Sequence, residues 1–391
     1  MYKGKDLIKL GYRICSRCIY DESVPNISFD SEGVCNYCRM IETFKEEYQT
    51  GKPEGKQKLN AILEKIKKAG KGKKYDVVVG VSGGTDSSYM MHKCVVDWGL
   101  RPLAVHYDNT WNTSIATENI RKVLSKLNVD LYTHVVDNKE SDDIFKSFFL
   151  ASVPELDAPT DIAYAETMYR AAWKHKIKYT FEGHSFIEEG ISPLGSAYMD
   201  GKYISGIHKT FGKLKMKTFP NMTFSHFMFW TVAARIKKIR PLWYIDYSKE
   251  EAKKLIKQEY GWLDYGGHHL ENRLTAFNHS FYFPEKFNID QRNNTLSALV
   301  RAGKMPKEEG LKTYASPPFI EDELITYFKK RLEISDEEFD AIMNRPKKSF
   351  RDYKTYKWRF ELLRPLFYIL YKSNLVYKSF YQKFCFPLPQ K

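Results

Sequence analysis

No stretch of this 391-residue sequence stays apolar for the roughly 18 residues that a membrane-crossing helix needs. The nearest approach, Thr218–Ala234, is broken by Asn221, His226 and several hydroxyl side chains. The N-terminal MYKGKDLIKLGYRIC also lacks the apolar core of a secretory signal, so a cytoplasmic protein is expected. Acidic residues are in deficit, 48 Asp and Glu against 62 Lys and Arg, for a formal charge of +14. That favours anionic partners without choosing among nucleic acid, membrane surface and phosphorylated small molecules. Two nucleotide signatures are missing as well. Without G-x-x-x-x-G-K-[ST] there is no Walker lysine for the β and γ phosphates, and without G-x-G-x-x-G a nicotinamide or flavin fold drops out. What is present argues for a folded chain of two or three domains, since 43% hydrophobic and 15% aromatic residues are ample for a core at this length.

Cysteine is sparse and concentrated. Four of the six form C-x2-C-x16-C-x2-C at Cys15, Cys18, Cys35 and Cys38, the spacing of a zinc ribbon in which each pair sits on a tight knuckle. Gly33 suits the second turn. Two disulfides or an iron–sulfur cluster are the alternatives, and a reducing cytosol disfavours the disulfides. With all four positions filled by protein, the site reads as closed and structural. Of the other two, Cys94 lies in an apolar setting and reads as a small buried side chain, and Cys385 lies in the tail.

Pattern breaks divide the chain into a ribbon (1–48), a lysine-rich helical linker (49–74), an alternating region (75–215), a mainly helical region (216–345) and a basic, aromatic tail (346–391). From Tyr75 strands are expected at YDVVVGV, Arg101–Tyr107, Leu131–Val136 and Ile177–Gly183. Helices are expected between them at Ser87–Trp98, Thr113–Leu127, Asp142–Val153 and Asp161–His175. This is a doubly wound α/β unit with a parallel sheet, whose ligands sit at the carboxyl ends of the strands, near the point where strand order reverses. Beyond about residue 215 the alternation stops.

The junction after the first strand reads VVVGVSGGTDSSYMM (77–91). Ser82, Ser87 and Ser88 can donate hydroxyl hydrogen bonds, the Gly83–Gly84 backbone can approach an anion closely, and Asp86 can hold Mg2+ on a pyrophosphate. A Ser/Gly turn that merely caps a helix would look similar locally. The pattern Ser82-Gly83-Gly84-Thr85-Asp86-Ser87-Ser88 resembles the pyrophosphate loop of the ATP-pyrophosphatase superfamily, whose members adenylate a carbonyl oxygen and release pyrophosphate. The resemblance implies that Asp86, Ser87 and His184 act in catalysis, that His106, Asp108 and Asn109 at the end of the second strand border the adenosine, and that Gly183 and His184 close over the phosphates.

The ribbon ICSRCIYDESVPNISFDSEGVCNYC, the stretch Ala158–Ile204 with its EEG, and Tyr265–Leu311 with YGG and ENR together resemble the N-acetyl sugar amidotransferase family of O-antigen and flagellin sugar pathways, over most of residues 12–311. The resemblance implies an ATP-dependent conversion of an acetamido to an acetamidino group on a nucleotide-activated sugar, with ATP, Mg2+ and Zn2+ as cofactors. Sugar contacts are then expected from Glu188, Glu189, Gly190, Asp200 and Lys202, and from His269, Glu271, Asn272 and Arg273, with Arg273 the natural anchor for an anionic group. A fused glutaminase would need a free nucleophilic cysteine, and Tyr2 with four metal-committed cysteines offers none. The family implies separate glutaminase and cyclase-like subunits that deliver ammonia.

A tRNA-thiolating enzyme is the other class that combines a ribbon with such a loop, and the net charge would suit it. Thiolation relays sulfur through further cysteines, and the lack of an internal C-x-x-C weakens that reading, so nucleic acid is not the expected partner. The tail Lys347–Lys391 reads as a helix pair packed on the domain with snorkelling lysines. Contact with an anionic membrane surface is its alternative.

Overall fold

The computed structural model describes residues 1–193, 197–266 and 270–387. Its centre is a five-stranded sheet made of β1 (Val77–Gly80), β2 (Pro102–Asp108), β3 (Leu131–Val135), β4 (Tyr179–Phe181) and β5 (Lys237–Ile239), in the order β3-β2-β1-β4-β5. Every pairing is parallel. The helices up to the end of the α/β unit are α1 (Asn36–Tyr48), α2 (Pro53–Gly70), α3 (Thr85–His92), α4 (Ser114–Leu127), α5 (Asn138–Leu150), α6 (Ala158–Lys174), α7 (Gly201–Phe211), α8 (Phe224–Met228) and α9 (Lys249–Tyr260).

The unbroken valine run of β1 has a physical reason: the strand is buried on both faces, as a central parallel strand must be. Val77 and Val79 pack with Leu63 of α2, Met91 of α3, Val123 of α4 and Ile256 of α9. Val78 packs the other way, with Met168 and Ala172 of α6. Local signals set the helix ends. The Thr113 hydroxyl accepts from the Ala116 N–H at the start of α4, and Asn128 ends that helix in the left-handed region. β3, at the edge, alternates exposed and half-buried residues.

Two features add to the sequence reading. The helix in the lysine-rich stretch, α2, buries Leu59, Leu63 and Ile66 in the core on one side of the sheet. A fifth strand also lies beyond residue 215, where alternation was expected to stop. β5 is three residues long, Lys-Lys-Ile, and carries no apolar run to announce it. Its register against β4 brings Lys238, and Arg240 just after the strand, to Glu182.

Beyond β5 the described residues are mainly helical. Phe148 and Phe149 of α5 share a core with Phe277, Phe328 and Phe339, in which the Phe277 and Phe328 rings stack at 3.6 Å. Among its described residues the tail forms three short α-helices, Lys357–Leu362, Arg364–Lys372 and Lys378–Phe384, one more than the expected pair. They fold back so that Phe360, Phe367 and Phe380 pack on Phe227 of α8. Trp358, Leu362 and Ile369 remain exposed on the outer side. Among the described residues no helix is long and apolar enough to cross a membrane.

Candidate functional site

Strand order reverses around β1, whose neighbours are β2 on one side and β4 on the other, so the loops leaving β1 and β4 diverge and open a cleft between them. The loop after β1 turns tightly at Gly83, whose φ is +80° and where a Cβ would come within 2.2 Å of the Ala116 carbonyl oxygen. Only glycine fits there. The Gly83 carbonyl accepts hydrogen bonds from Trp262 Nε1 at 2.9 Å and Asn119 Nδ2 at 3.2 Å, which fixes the turn from behind. Gly84 then caps α3. The Gly84 N–H donates to Ser82 Oγ, which lies 3.4 Å from Ser87 Oγ. Hydroxyls and a helix N-terminus thus face one opening, an arrangement suited to an anion.

The cleft has a volume of about 430 Å³. Of the residues expected at the nucleotide, Ser82, Gly84, Asp86, Ser87, His106, Asn109, Gly183 and His184 line it. Thr85 and Ser88 are buried beneath the loop, so the Ser88 hydroxyl does not face the cleft, and Gly83 stands behind the turn. Asp108 lies off the cleft and accepts from the Thr110 N–H and Asn112 Nδ2.

Asp86 sits in a charged cluster. Its Oδ2 lies 2.9 Å from Lys249 Nζ, its Oδ1 accepts from the Tyr247 hydroxyl, and Lys249 Nζ is also 3.5 Å from Glu189 Oε1. Enclosure alone would raise the Asp86 carboxyl, but Lys249 and Tyr247 hold it below the usual carboxylate range. Enclosure would likewise discharge Lys249, and the carboxylates of Asp86 and Glu189 keep it above the ordinary lysine range. The side chain of Asp86 is only 18% exposed. The reason is the segment Tyr247–Lys249, which folds over it from 161 residues further along the chain.

On the opposite wall Glu182 is held by Lys238 at 2.8 Å and Arg240 at 3.0 Å. Enclosure opposes its charge, yet these two cations bring its carboxyl down to about 2. His184 Nδ1 accepts from Trp243 Nε1 at 3.2 Å, which leaves its proton on Nε2. Enclosure in the cleft wall and the nearby Arg240 guanidinium push this imidazole down to about 3. His184 is therefore a neutral hydrogen-bond donor at physiological pH. His106 is neutral too, lowered by burial; its Nδ1 bonds the Val81 carbonyl and its Nε2 faces Asn112 Nδ2.

The residues expected at the sugar divide into three groups. Glu189, Glu271 and Asn272 line the cleft. Asn272 also bonds Asn109 and Asn112 and caps the helix that begins at Arg273. Glu188, Gly190, Asp200, Lys202 and Arg273 lie elsewhere. Glu188 is buried, accepts from the Lys249 N–H and pairs with Lys304. Gly190, at φ +73°, lies where a Cβ would meet Asn294 Oδ1 at 2.6 Å. Asp200 caps α7 and takes the Tyr198 hydroxyl and the Tyr356 N–H. Lys202 lies over the Tyr356 ring, and Arg273 stacks on Tyr327 and approaches Glu321. His269 lies outside the described residues.

Sequence reasoning missed Tyr247, Lys249, Tyr164, Thr160 and Tyr265, all in contact with Asp86 or lining the cleft. One local signal was available for Lys249, because Ser248 with Glu251 three residues on marks a helix start. The Ser248 hydroxyl does accept the Glu251 N–H.

The four ribbon cysteines converge. Their Sγ atoms all lie within 4.8 Å of one another, with Cys15 to Cys38 at 3.8 Å and Cys18 to Cys35 at 3.9 Å. A disulfide would need about 2.05 Å, and all six cysteines are free. Zn–S bonds of about 2.3 Å at tetrahedral angles put sulfurs about 3.8 Å apart, so the set fits one zinc ion. Arg301 Nε donates to Cys38 Sγ at 3.2 Å, tying the ribbon to the helix at 292–301. Cys94 and Cys385 are fully buried, so neither offers a thiol to the cleft. The oxygen donors of Asp86 and Glu189, bridged by one ammonium, are the hard ligands that suit Mg2+.

Comparison with known proteins gives the following. Residues 271–364 match the family model described as LPS biosynthesis protein WbpG-like, C-terminal domain. That span begins at the cleft residues Glu271 and Asn272 and ends in the tail helices. The uncharacterized protein MJ1599 of Methanocaldococcus jannaschii is 23% identical over 310 residues, 78% of this chain and 93% of its own length. Among solved structures, the NMN synthetase of Francisella tularensis is similar over 72% of this chain and 93% of its own, at 13% identity and a TM-score of 0.31. The NH3-dependent NAD synthetase of Campylobacter jejuni, solved with nitrate, is similar over 75% and 97%, at 15% identity and a TM-score of 0.31.

Proposed function

We propose that this chain, whose C-terminal part is a WbpG-like domain, is the synthetase subunit of an ATP-dependent amidotransferase acting on a nucleotide-activated N-acetyl sugar in lipopolysaccharide or related glycan synthesis. One observation carries the reading: the S-G-G-x-D-S loop at the switch point between β1 and β4, with Asp86 and Lys249 meeting in the cleft beside it. Amide oxygen is a poor leaving group as water, which is why ATP is needed. The acetamide oxygen attacks the α-phosphate, the bond to pyrophosphate breaks, and an O-adenylyl imidate forms. Ammonia then adds to the imidate carbon, the C–O bond breaks, and AMP leaves an acetamidino group.

The chain's residues contribute positioning and charge. Ser82, Ser87 and the start of α3 donate to the departing pyrophosphate. Asp86, with Glu189 in reach, would hold Mg2+, which supplies charge neutralisation on that leaving group. His184 donates from Nε2 and does not act as a base at neutral pH. Glu271 and Asn272 border the sugar end. Zinc on Cys15, Cys18, Cys35 and Cys38 is structural, since no ligand position is open. Ammonia comes from a separate glutaminase with a cyclase-like subunit, and the exposed Trp358, Leu362 and Ile369 give the tail an outer face for peripheral membrane contact.

The test is incubation with ATP, ammonium and a panel of UDP- and CMP-linked N-acetyl sugars. A product about one mass unit lighter, formed with AMP and pyrophosphate, is expected for one of them. No sugar-dependent AMP with any of the panel would overturn the proposal.

A further inference from the structure

The cation between Asp86 and Glu189 is a side chain in an unfavourable place. Lys249 is the first residue of α9, and a positive charge at a helix N-terminus opposes the helix dipole. Its backbone is pinned there regardless, because its N–H donates to Glu188 Oε1 at 2.9 Å while Lys304 pairs with Glu188 and donates to the Tyr247 carbonyl at 3.0 Å. The segment Tyr247–Lys249 is thus a fixed strap. From it the ammonium reaches 2.9 Å from Asp86 and 3.5 Å from Glu189, two carboxyl side chains that also hydrogen-bond each other, so one cation neutralises an adjoining acidic pair. The four-carbon stem of lysine is flexible and the ammonium is a mobile point charge. Lys249 also lines the same cleft as Ser82, Gly84 and Ser87, so the phosphates bound there would be within the reach of its stem.

We propose that Lys249 is a tethered counter-cation: it occupies the space between Asp86 and Glu189 until a divalent ion arrives with a nucleotide, then moves onto the phosphates. The exchange keeps charge in balance. The carboxylates trade one positive charge for two, and the displaced ammonium meets an incoming polyanion instead of solvent. Metal alone binds weakly, because it must expel Lys249 with nothing to receive it. The inference rests on the nucleotide reading of the cleft, and it says that metal and nucleotide bind cooperatively through one named side chain.

The test uses Mn2+ as the probe, its free concentration read by electron paramagnetic resonance, on the full chain without nucleotide. Lys249→Met should bind Mn2+ at least about tenfold more tightly than wild type, since the competing charge is gone. Lys249→Arg keeps a cation and should stay near wild type, and Lys249→Met with Asp86→Asn should lose the gain. With Mn2+ saturating, Lys249→Met should bind ATP more weakly than wild type. If Lys249→Met folds poorly, Lys249→Gln carries the same expectations. Equal or weaker Mn2+ binding by a folded Met or Gln variant overturns the proposal, and so does unchanged ATP affinity. Failure of wild type to bind ATP with Mn2+ would instead remove the nucleotide reading itself, which separates the two.

Discussion

Replacing Glu182 by Gln isolates the ion triad that β5 brings to the cleft wall. In the folded chain Lys238 and Arg240 hold this carboxyl at about 2, against an ordinary 4.5. At about 1.36 kcal/mol per pH unit, that difference corresponds to about 3 kcal/mol of stability near neutrality. The direct cost of breaking an enclosed pair and leaving cations uncompensated is of the same order, about 3–5 kcal/mol. The sign is that of a depressed carboxyl. Its contribution is fully present above pH 4.5 and is lost as pH falls toward 2. Relative to pH 7, the gap between wild type and Glu182→Gln should therefore narrow by about 1 kcal/mol at pH 4 and about 2 kcal/mol at pH 3. Urea unfolding followed by tryptophan fluorescence measures it, with Trp243 near the triad as a reporter. A gap under about 1 kcal/mol at pH 7, or one that stays constant down to pH 3, would refute the reasoning.

Asp86→Asn should lower sugar-dependent AMP formation by at least roughly a hundredfold, the scale of one lost electrostatic contact in the transition state. Its melting temperature should stay close to wild type, because Lys249 keeps Glu189 as a partner. Gly83→Ala forces a side chain into the left-handed region against the Ala116 carbonyl; calorimetry should show a loss of roughly 1–3 kcal/mol, and isothermal titration should show a larger loss of ATP binding. Cys35→Ser, or chelation, should release one zinc per chain by colorimetric assay and first lower the thermal stability of the ribbon, because the four thiols are packed in its small core with Tyr20 and Tyr37.

The strands, the helices between them and the tight turn after β1 were legible because each rests on short-range signals: a valine run, a capped amphipathic helix, glycines at a junction. The cysteine cluster was legible for the same reason, since spacing alone brings each pair to its knuckle. What could not be read is what arrives from afar. β5 is two lysines and an isoleucine, and only pairing with β4 makes it a strand. Lys249 and Tyr247 meet Asp86 across more than 160 residues of chain. Conversely, Asp200 and Glu188 looked like loop charges free to meet a ligand, and each proves to be occupied, Asp200 by backbone N–H groups and Glu188 by the Lys249 N–H and Lys304. An acidic side chain near a loop carries no local mark that distinguishes a cap from a ligand contact.

Net charge misleads here for a related reason. The chain carries a formal +14, yet the cleft is lined by Asp86, Asp161, Glu182, Glu189 and Glu271, with Lys249 the one lysine or arginine among the described lining residues. Lys238 and Arg240 stand behind Glu182 and are committed to it. The basic excess is therefore spread over other surfaces, and steering by the whole protein and binding at the site are separate matters. A bare triphosphate entering such a cleft would face several carboxylates at close range in a medium less screening than water, an unfavourable encounter. The same lining becomes favourable once divalent charge accompanies the phosphates. ATP affinity should accordingly collapse on chelation of divalent ions far more steeply than it falls with added monovalent salt, whereas a cleft built on lysines and arginines would show the opposite order.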